Sequence, residues 1–80
     1  MTLDEFSAWA LRHGYEKDRF GNFKKLSHCN GEPCTYRYHI KKLVVCKEVK
    51  GHSDGWVRLN TGFFSQIHLN ENDQLCGLKR

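Results

Sequence analysis

The sequence predicts an α+β domain, one N-terminal helix packed on a four- or five-stranded antiparallel β-meander, with residues 1–80 as a single domain. Three observations point there. Residues 1–13 place apolar side chains at helical spacing behind a capping signal. From Tyr15 onward, aromatic and β-branched residues alternate with polar ones between breaks rich in glycine and asparagine. Eighty residues suffice for one small core, since two compact units would each fall below the size at which a core alone is usually enough.

The helix begins at a capping box, in which Thr2 accepts from the amide three residues on and Glu5 reaches back, with Asp4 and Glu5 at the positive helix end. Leu3, Phe6, Trp9 or Ala10, and His13 form its apolar stripe, and Gly14 supplies a left-handed stop. Residues 18–22, DRFGN, read as a turn leading into a strand over Phe23–Cys29. Asn30-Gly31 signals a type I′ turn, whereas Glu32-Pro33 also allows a four-residue loop that would set Cys29 opposite Cys34.

The next strand shifts phase internally. Tyr36, Tyr38 and Ile40 alternate on one face, but beyond Lys41-Lys42 the apolar set is Leu43, Val45 and Val49, so a bulge is expected at the lysines. After a turn over residues 51–55, Val57, Leu59, Phe63, Ile67 and Leu69 stand at odd positions. That phase turns Trp56, Arg58, Phe64, Gln66 and His68 outward, unless Asn60-Thr61-Gly62 breaks the segment. Residues 70–73 turn the chain into a short last strand over 74–78, blunted by Lys79 and Arg80.

Charge supplies the functional clue. Residues 36–50, YRYHIKKLVVCKEVK, carry five cations against Glu48 and hold the whole net charge of +4, the rest of the chain cancelling. Arg37, His39, Lys41, Lys42 and Lys47, with Arg58 from the returning strand, form a candidate basic sheet face. Outward aromatics such as Trp56 and Phe64 would lie beside it. Such a face neutralises phosphates and stacks unpaired bases. Equally, lysines are the ordinary solvated side of a half-buried strand and protect it against edge pairing. If the helix covered this same face, Trp56 and Phe64 would be core instead, and Tyr36, Tyr38 and Ile40 would lie on the open one.

Other chemistry finds little support. No nucleophile elbow, general-base motif or phosphate-cradling glycine loop is present, so a non-enzymatic protein without a cofactor is expected. Cys29, Cys34 and Cys46 make a zinc-stabilised adaptor an alternative, but four residues separate the first two and no second tight pair follows. The N-terminus lacks a cationic start and an apolar run, so a cytoplasmic protein with reduced thiols is expected. No stretch approaches the roughly 20 apolar residues of a membrane span, so no membrane partner is expected. A homodimer is allowed.

The plan of a short capped helix, the segment GYEKDRFGNF and strands ending in a tryptophan-bearing return resembles the small accessory proteins encoded by bacteriophages and other mobile elements. The resemblance lies in style and length across the whole chain and transfers no functional residue. It implies a class of activity: binding and blocking a host nucleic-acid-handling machine, as anti-CRISPR and anti-restriction proteins do. Many of those inhibitors are acidic DNA mimics, from which this basic chain departs, and that departure points it toward an acidic protein surface, a guide RNA or a DNA site. Two expectations result. In the first, a binding module engages nucleic acid or a nucleic-acid-handling complex through its basic sheet face. In the second, a protein-directed inhibitor is anchored by exposed aromatics.

Overall fold

The computed structural model describes residues 1–51 and 55–80. Helix α1 (Leu3–Arg12) is followed by β1 (Glu16–Lys17), β2 (Phe23–Cys29), β3 (Glu32–Lys41), β4 (Val44–Lys50), β5 (Val57–Phe63), β6 (His68–Leu69) and β7 (Leu75–Cys76). Strands β1 to β5 form one antiparallel meander in chain order, and β6 and β7 pair separately as a ribbon. The expected α+β meander is therefore the fold. Among the described residues no helix is long and apolar enough to cross a membrane.

The helix starts as its sequence dictates. Glu5 N donates to Thr2 Oγ1 at 3.1 Å and Thr2 N donates to Glu5 Oε1 at 2.8 Å, so two otherwise orphaned donors are satisfied. Phe6, Trp9 and Ala10 form the buried stripe, while Leu3 is half-exposed and lies outside it. Gly14, at φ +85°, then turns the chain toward β1.

Turn chemistry sets the register of the meander. Asp18 Oδ1 accepts from the amides of Phe20 and Asn22, each at 2.9 Å, closing the β1–β2 hairpin. Buried Asn22 accepts in turn from Ile40 N at 3.0 Å, which pairs a β3 amide lying beyond the last β2 partner. Asn30 and Gly31 both take positive φ, 53° and 82°, and the type I′ turn sets Cys29 opposite Glu32. The four-residue loop does not form.

Lys41-Lys42 corrects the sequence reading. Lys42 adopts φ 55° and Lys41 pairs with Val44, so these residues make a tight hairpin in place of a bulge. What read as one strand is two, and the phase change is a reversal of direction. Leu43, expected in the core, sits at the turn and is 71% exposed. The bulge lies instead in β5: pairing steps from Lys47–Asn60 to Glu48–Arg58, leaving Leu59 extra. That extra residue breaks the odd-numbered phase, so Phe63 is exposed while Phe64, expected outward, is buried; Val57, before the bulge, stays on the face of Val49 and Tyr36 but is exposed there. The turn expected over residues 51–55 falls largely on 52–54, outside the described residues.

Helix α1 and the β6–β7 ribbon cover one face of the sheet. The core joins Phe6, Trp9 and Ala10 of the helix to Phe23, Tyr38 and Val45 of the sheet and to Phe64 and Ile67. Phe6 is its centre, with ring centroids 5.3–5.9 Å from those of Trp9, Phe23, Tyr38 and Phe64, three of the four edge-on. The ribbon is tied to the helix by Trp9 Nε1, which donates to the Asp73 carbonyl at 2.8 Å. Past β7, Lys79 exchanges two backbone hydrogen bonds with Thr61 and closes the outer edge of β5 there.

The Asp73 carboxylate adds an ion-pair clasp, 2.9 Å from Arg12 Nη2 and 3.0 Å from His13 Nε2. Hydrogen bonds from Arg12 first and His13 second hold its pKa below the usual aspartate range. A carboxyl whose pKa is depressed by folding stabilises the fold above its unfolded pKa and loses that contribution as pH falls through the folded value. Asp73→Asn should thus melt below wild type near neutral pH, by less than about 5 °C because the pair is solvent-screened. The gap should close below about pH 3–4, near the ordinary aspartate pKa and under. Asparagine tolerates the φ of 59° at this position, so the backbone anchor of Trp9 is kept. Melting curves across pH that stayed parallel would refute the clasp.

Candidate functional site

Cross-strand partners in an antiparallel sheet share a face, so the register assigns each side chain to one side. On the helix side lie the rows Phe23–Tyr38–Lys47–Asn60 and Ile40–Val45–Gly62. On the opposite side, which neither α1 nor the ribbon covers, lies the row Glu16–Lys24–Arg37–Glu48–Arg58. Beside it run Leu26–Thr35–Lys50 and His39–Cys46–Thr61.

Trp56, just before β5, organises this open face. The Arg37 guanidinium carbon stands 3.9 Å from its ring centroid, and the ammonium groups of Lys24 and Lys50 each stand at 5.9 Å. Three strands thus bring three cations to one half-buried indole, an arrangement favoured by the negative potential over the ring. Arg37 is held on a second side by Glu48, whose Oε1 accepts from Nε at 2.8 Å and lies 2.7 Å from Nη2. His39 Nδ1 approaches the same oxygen at 3.5 Å. Arg37 and Glu48 are each only 14% exposed, so this pair fixes the indole more than it presents charge.

The presented charge is that of Lys24, Lys50 and Arg58, with Lys41 at the far end of the face. Lys24 also reaches Asp18 Oδ2 at 3.4 Å. A shallow depression of about 610 Å³ opens over part of this face, with Lys24, Leu26, Thr35, Lys50 and Trp56 among its walls. Four acidic residues, Asp4, Glu5, Glu71 and Asp73, belong to α1 and the β6–β7 hairpin instead. The two sides of the molecule therefore differ in charge, with the cations ahead on the open side.

The expected site residues divide accordingly. Arg37, His39, Lys41, Trp56 and Arg58 share the open face, and Lys42 occupies the β3–β4 turn. Lys47 does not belong: its ammonium lies on the helix side, 5.4 Å from the Tyr36 ring centroid and 5.8 Å from that of Tyr38. Phe64 does not belong either, being core and edge-on to Phe6. Sequence reasoning missed Lys24 as a member and counted Lys50 only toward net charge. Their link to Trp56 depends on the β2–β3–β4 register, which was not readable until the turns were fixed.

The three cysteines named for a zinc site do not share a face. Cys29 and Cys34 lie on the helix side, whereas Cys46 lies on the open face with Sγ 3.3 Å from Thr61 Oγ1. The three thiols point to opposite sides of one sheet and cannot converge on an ion. Among the described residues no group of three or more metal-ligating side chains occurs.

Comparison with protein-family models, with curated proteins and with solved structures finds no match to this chain.

Proposed function

We propose that this protein is a non-enzymatic binding module whose open sheet face engages single-stranded nucleic acid. The observation that carries the reading is the meeting of Lys24, Arg37 and Lys50 around Trp56 on the sheet face that neither α1 nor the β6–β7 ribbon covers. Lys24, Lys50 and Arg58 would meet phosphates, and the pre-set indole with the apolar stem of the face would meet a base. A flat sheet surface of this kind suits unpaired strands better than a duplex groove, into which it cannot enter.

The reading is tested by fluorescence anisotropy with a labelled oligonucleotide at a series of salt concentrations. Binding should weaken as salt rises, because each neutralised phosphate releases counterions. In the Lys24→Ala/Lys50→Ala variant the slope of log K against log salt should become shallower by about 1.4, at roughly 0.7 for each phosphate no longer neutralised. Trp56→Ala should cost about 1–3 kcal/mol of binding by removing the stack. Failure of both single strands and duplex to bind at low salt ends the proposal. A stoichiometric protein partner that survives nuclease treatment and is lost on Trp56→Ala would replace it with the protein-directed reading.

A further inference from the structure

The tip of the β2–β3 hairpin carries a second chemical feature, on the other side of the sheet. Because the turn has two residues, Cys29 pairs with Glu32 and Cys34 with Ser27, which makes the two cysteines diagonal neighbours on one face. Cys34 is buried and Cys29 half-buried, and both are free thiols. Tyr36 completes the cluster, its Oη 3.5 Å from Cys29 Sγ. A cleft of about 240 Å³, with Cys29, Pro33, Cys34, Val49 and Val57 in its walls, opens beside the two cysteines. Cysteines that merely fill a core have apolar neighbours and no polar partner. Here Cys29 has a polar partner in Tyr36, and an opening lies beside both cysteines.

We propose that Cys29 and Cys34 form a reversible dithiol–disulfide couple that reacts with low-molecular-weight disulfides, Cys29 attacking and Cys34 resolving. The Cys29 thiolate attacks one sulfur of the small disulfide, forming a mixed disulfide and expelling the first small thiolate. Cys34, losing its proton, then attacks the Cys29 sulfur, closes the Cys29–Cys34 bond and expels the second. The small disulfide gains two electrons, and the two protons released from the protein leave on the two small thiols.

Local electrostatics support this order. Hydrogen bonds from Cys34 first, then Tyr36, draw the Cys29 pKa down, so its thiolate is the more abundant nucleophile. The same bond, seen from Cys34, pushes that thiol up to about 11 and keeps it protonated while Cys29 is free. Once Cys29 is capped, that bond and its negative charge are gone, only burial still raises the Cys34 pKa, and Cys34 ionises more readily for the second step. The diagonal placement matters too, because closing the bond requires the strands to shear slightly. At this tip β1 pairs only with Phe23 and Lys24, so the movement meets little resistance. A bond closed this way is strained and easily reduced, as befits a reversible couple.

The test exposes the full chain to oxidised glutathione near neutral pH and follows intact mass and peptide maps, with circular dichroism checking the fold of each variant. Wild type should lose two hydrogen atoms at Cys29–Cys34 without a lasting adduct, and mild dithiothreitol should restore it. Cys34→Ser should trap glutathione on Cys29. Tyr36→Phe should slow capture by Cys29 severalfold, on the order of 2- to 5-fold for removal of one thiolate hydrogen bond, while Cys46→Ser leaves the rate unchanged. Equal capture at all four cysteines, first capture at Cys46 or Cys76, or a lasting adduct on wild-type Cys29 would each overturn the proposal.

Discussion

Phe6→Ala is expected to remove about 3–5 kcal/mol of stability, the range for truncating a buried phenylalanine. Phe6 has no exposed surface, and its ring is the one that touches helix, sheet and the segment after β5 together. Trp9, Phe23, Tyr38 and Phe64 come from four different elements or turns and cannot all collapse inward, so the vacated volume stays largely open. A chain of this length holds roughly 4–12 kcal/mol in total, at 0.05–0.15 kcal/mol per residue. The variant should therefore be marginally folded or unfolded at 37 °C. Phe6→Leu keeps most of the volume and gives up the edge-on aromatic packing, so it should cost about 1–2 kcal/mol. Urea denaturation of all three proteins measures the series. A Phe6→Ala loss below about 1 kcal/mol would mean that this ring is not the centre of the core.

Gly77→Ala should have the second-largest effect. Gly77 adopts φ +100°, and a Cβ there would lie 2.4 Å from the Gln66 carbonyl oxygen and 3.0 Å from Ile67 Cα, both backbone atoms that cannot rotate away. The positive φ alone costs about 1–3 kcal/mol for a residue with a side chain. To relieve the clash, the segment after β7 must move off residues 66 and 67, which uncovers Ile67, now 2% exposed, and loosens the packing over Gly62. Gly31 provides the control. Its φ is +82° but nothing stands within 4 Å of the added carbon, so Gly31→Ala carries only the backbone cost. Gly77→Ala should exceed it by about 2 kcal/mol or more, the range of overpacking against rigid neighbours. Equal thermal melts for the two variants would show that the close approach at Gly77 is not a constraint.

Wherever a local signal had a local cause, the sequence was legible. Thr2 with Glu5, Gly14 and Asp18 each act on atoms a few residues away and formed the expected cap, stop and turn, and Asn30-Gly31 formed one of the two turns open to it. The β3–β4 turn was not legible in the same way, because Lys42 is no turn former by type and takes φ 55° only to satisfy the pairing on either side. The phase change beyond Lys41 was the true signal, and a bulge and a hairpin write the same change in apolar phase. Phe64 went astray for a related reason: the extra residue at Leu59 reversed the parity on which its outward position rested. As to the candidate site, Arg37, Trp56 and Arg58 were visible as types in a strand. Their joining with Lys24 and Lys50 is a property of register, created only when turns remote from the site are set.

The two tryptophans stand on opposite sides of one sheet, and this gives the protein a pair of separate built-in optical reporters. Trp9, 5% exposed and bonded to the Asp73 carbonyl, senses whether helix and ribbon remain docked. Trp56, ringed by Lys24, Arg37 and Lys50, senses what arrives on the open face. Denaturant should change the emission of both, whereas a molecule settling on the open face should quench or shift Trp56 and leave Trp9 as it was. Substituting phenylalanine for either indole isolates the other, so folding and occupancy can be followed in one sample without an added label.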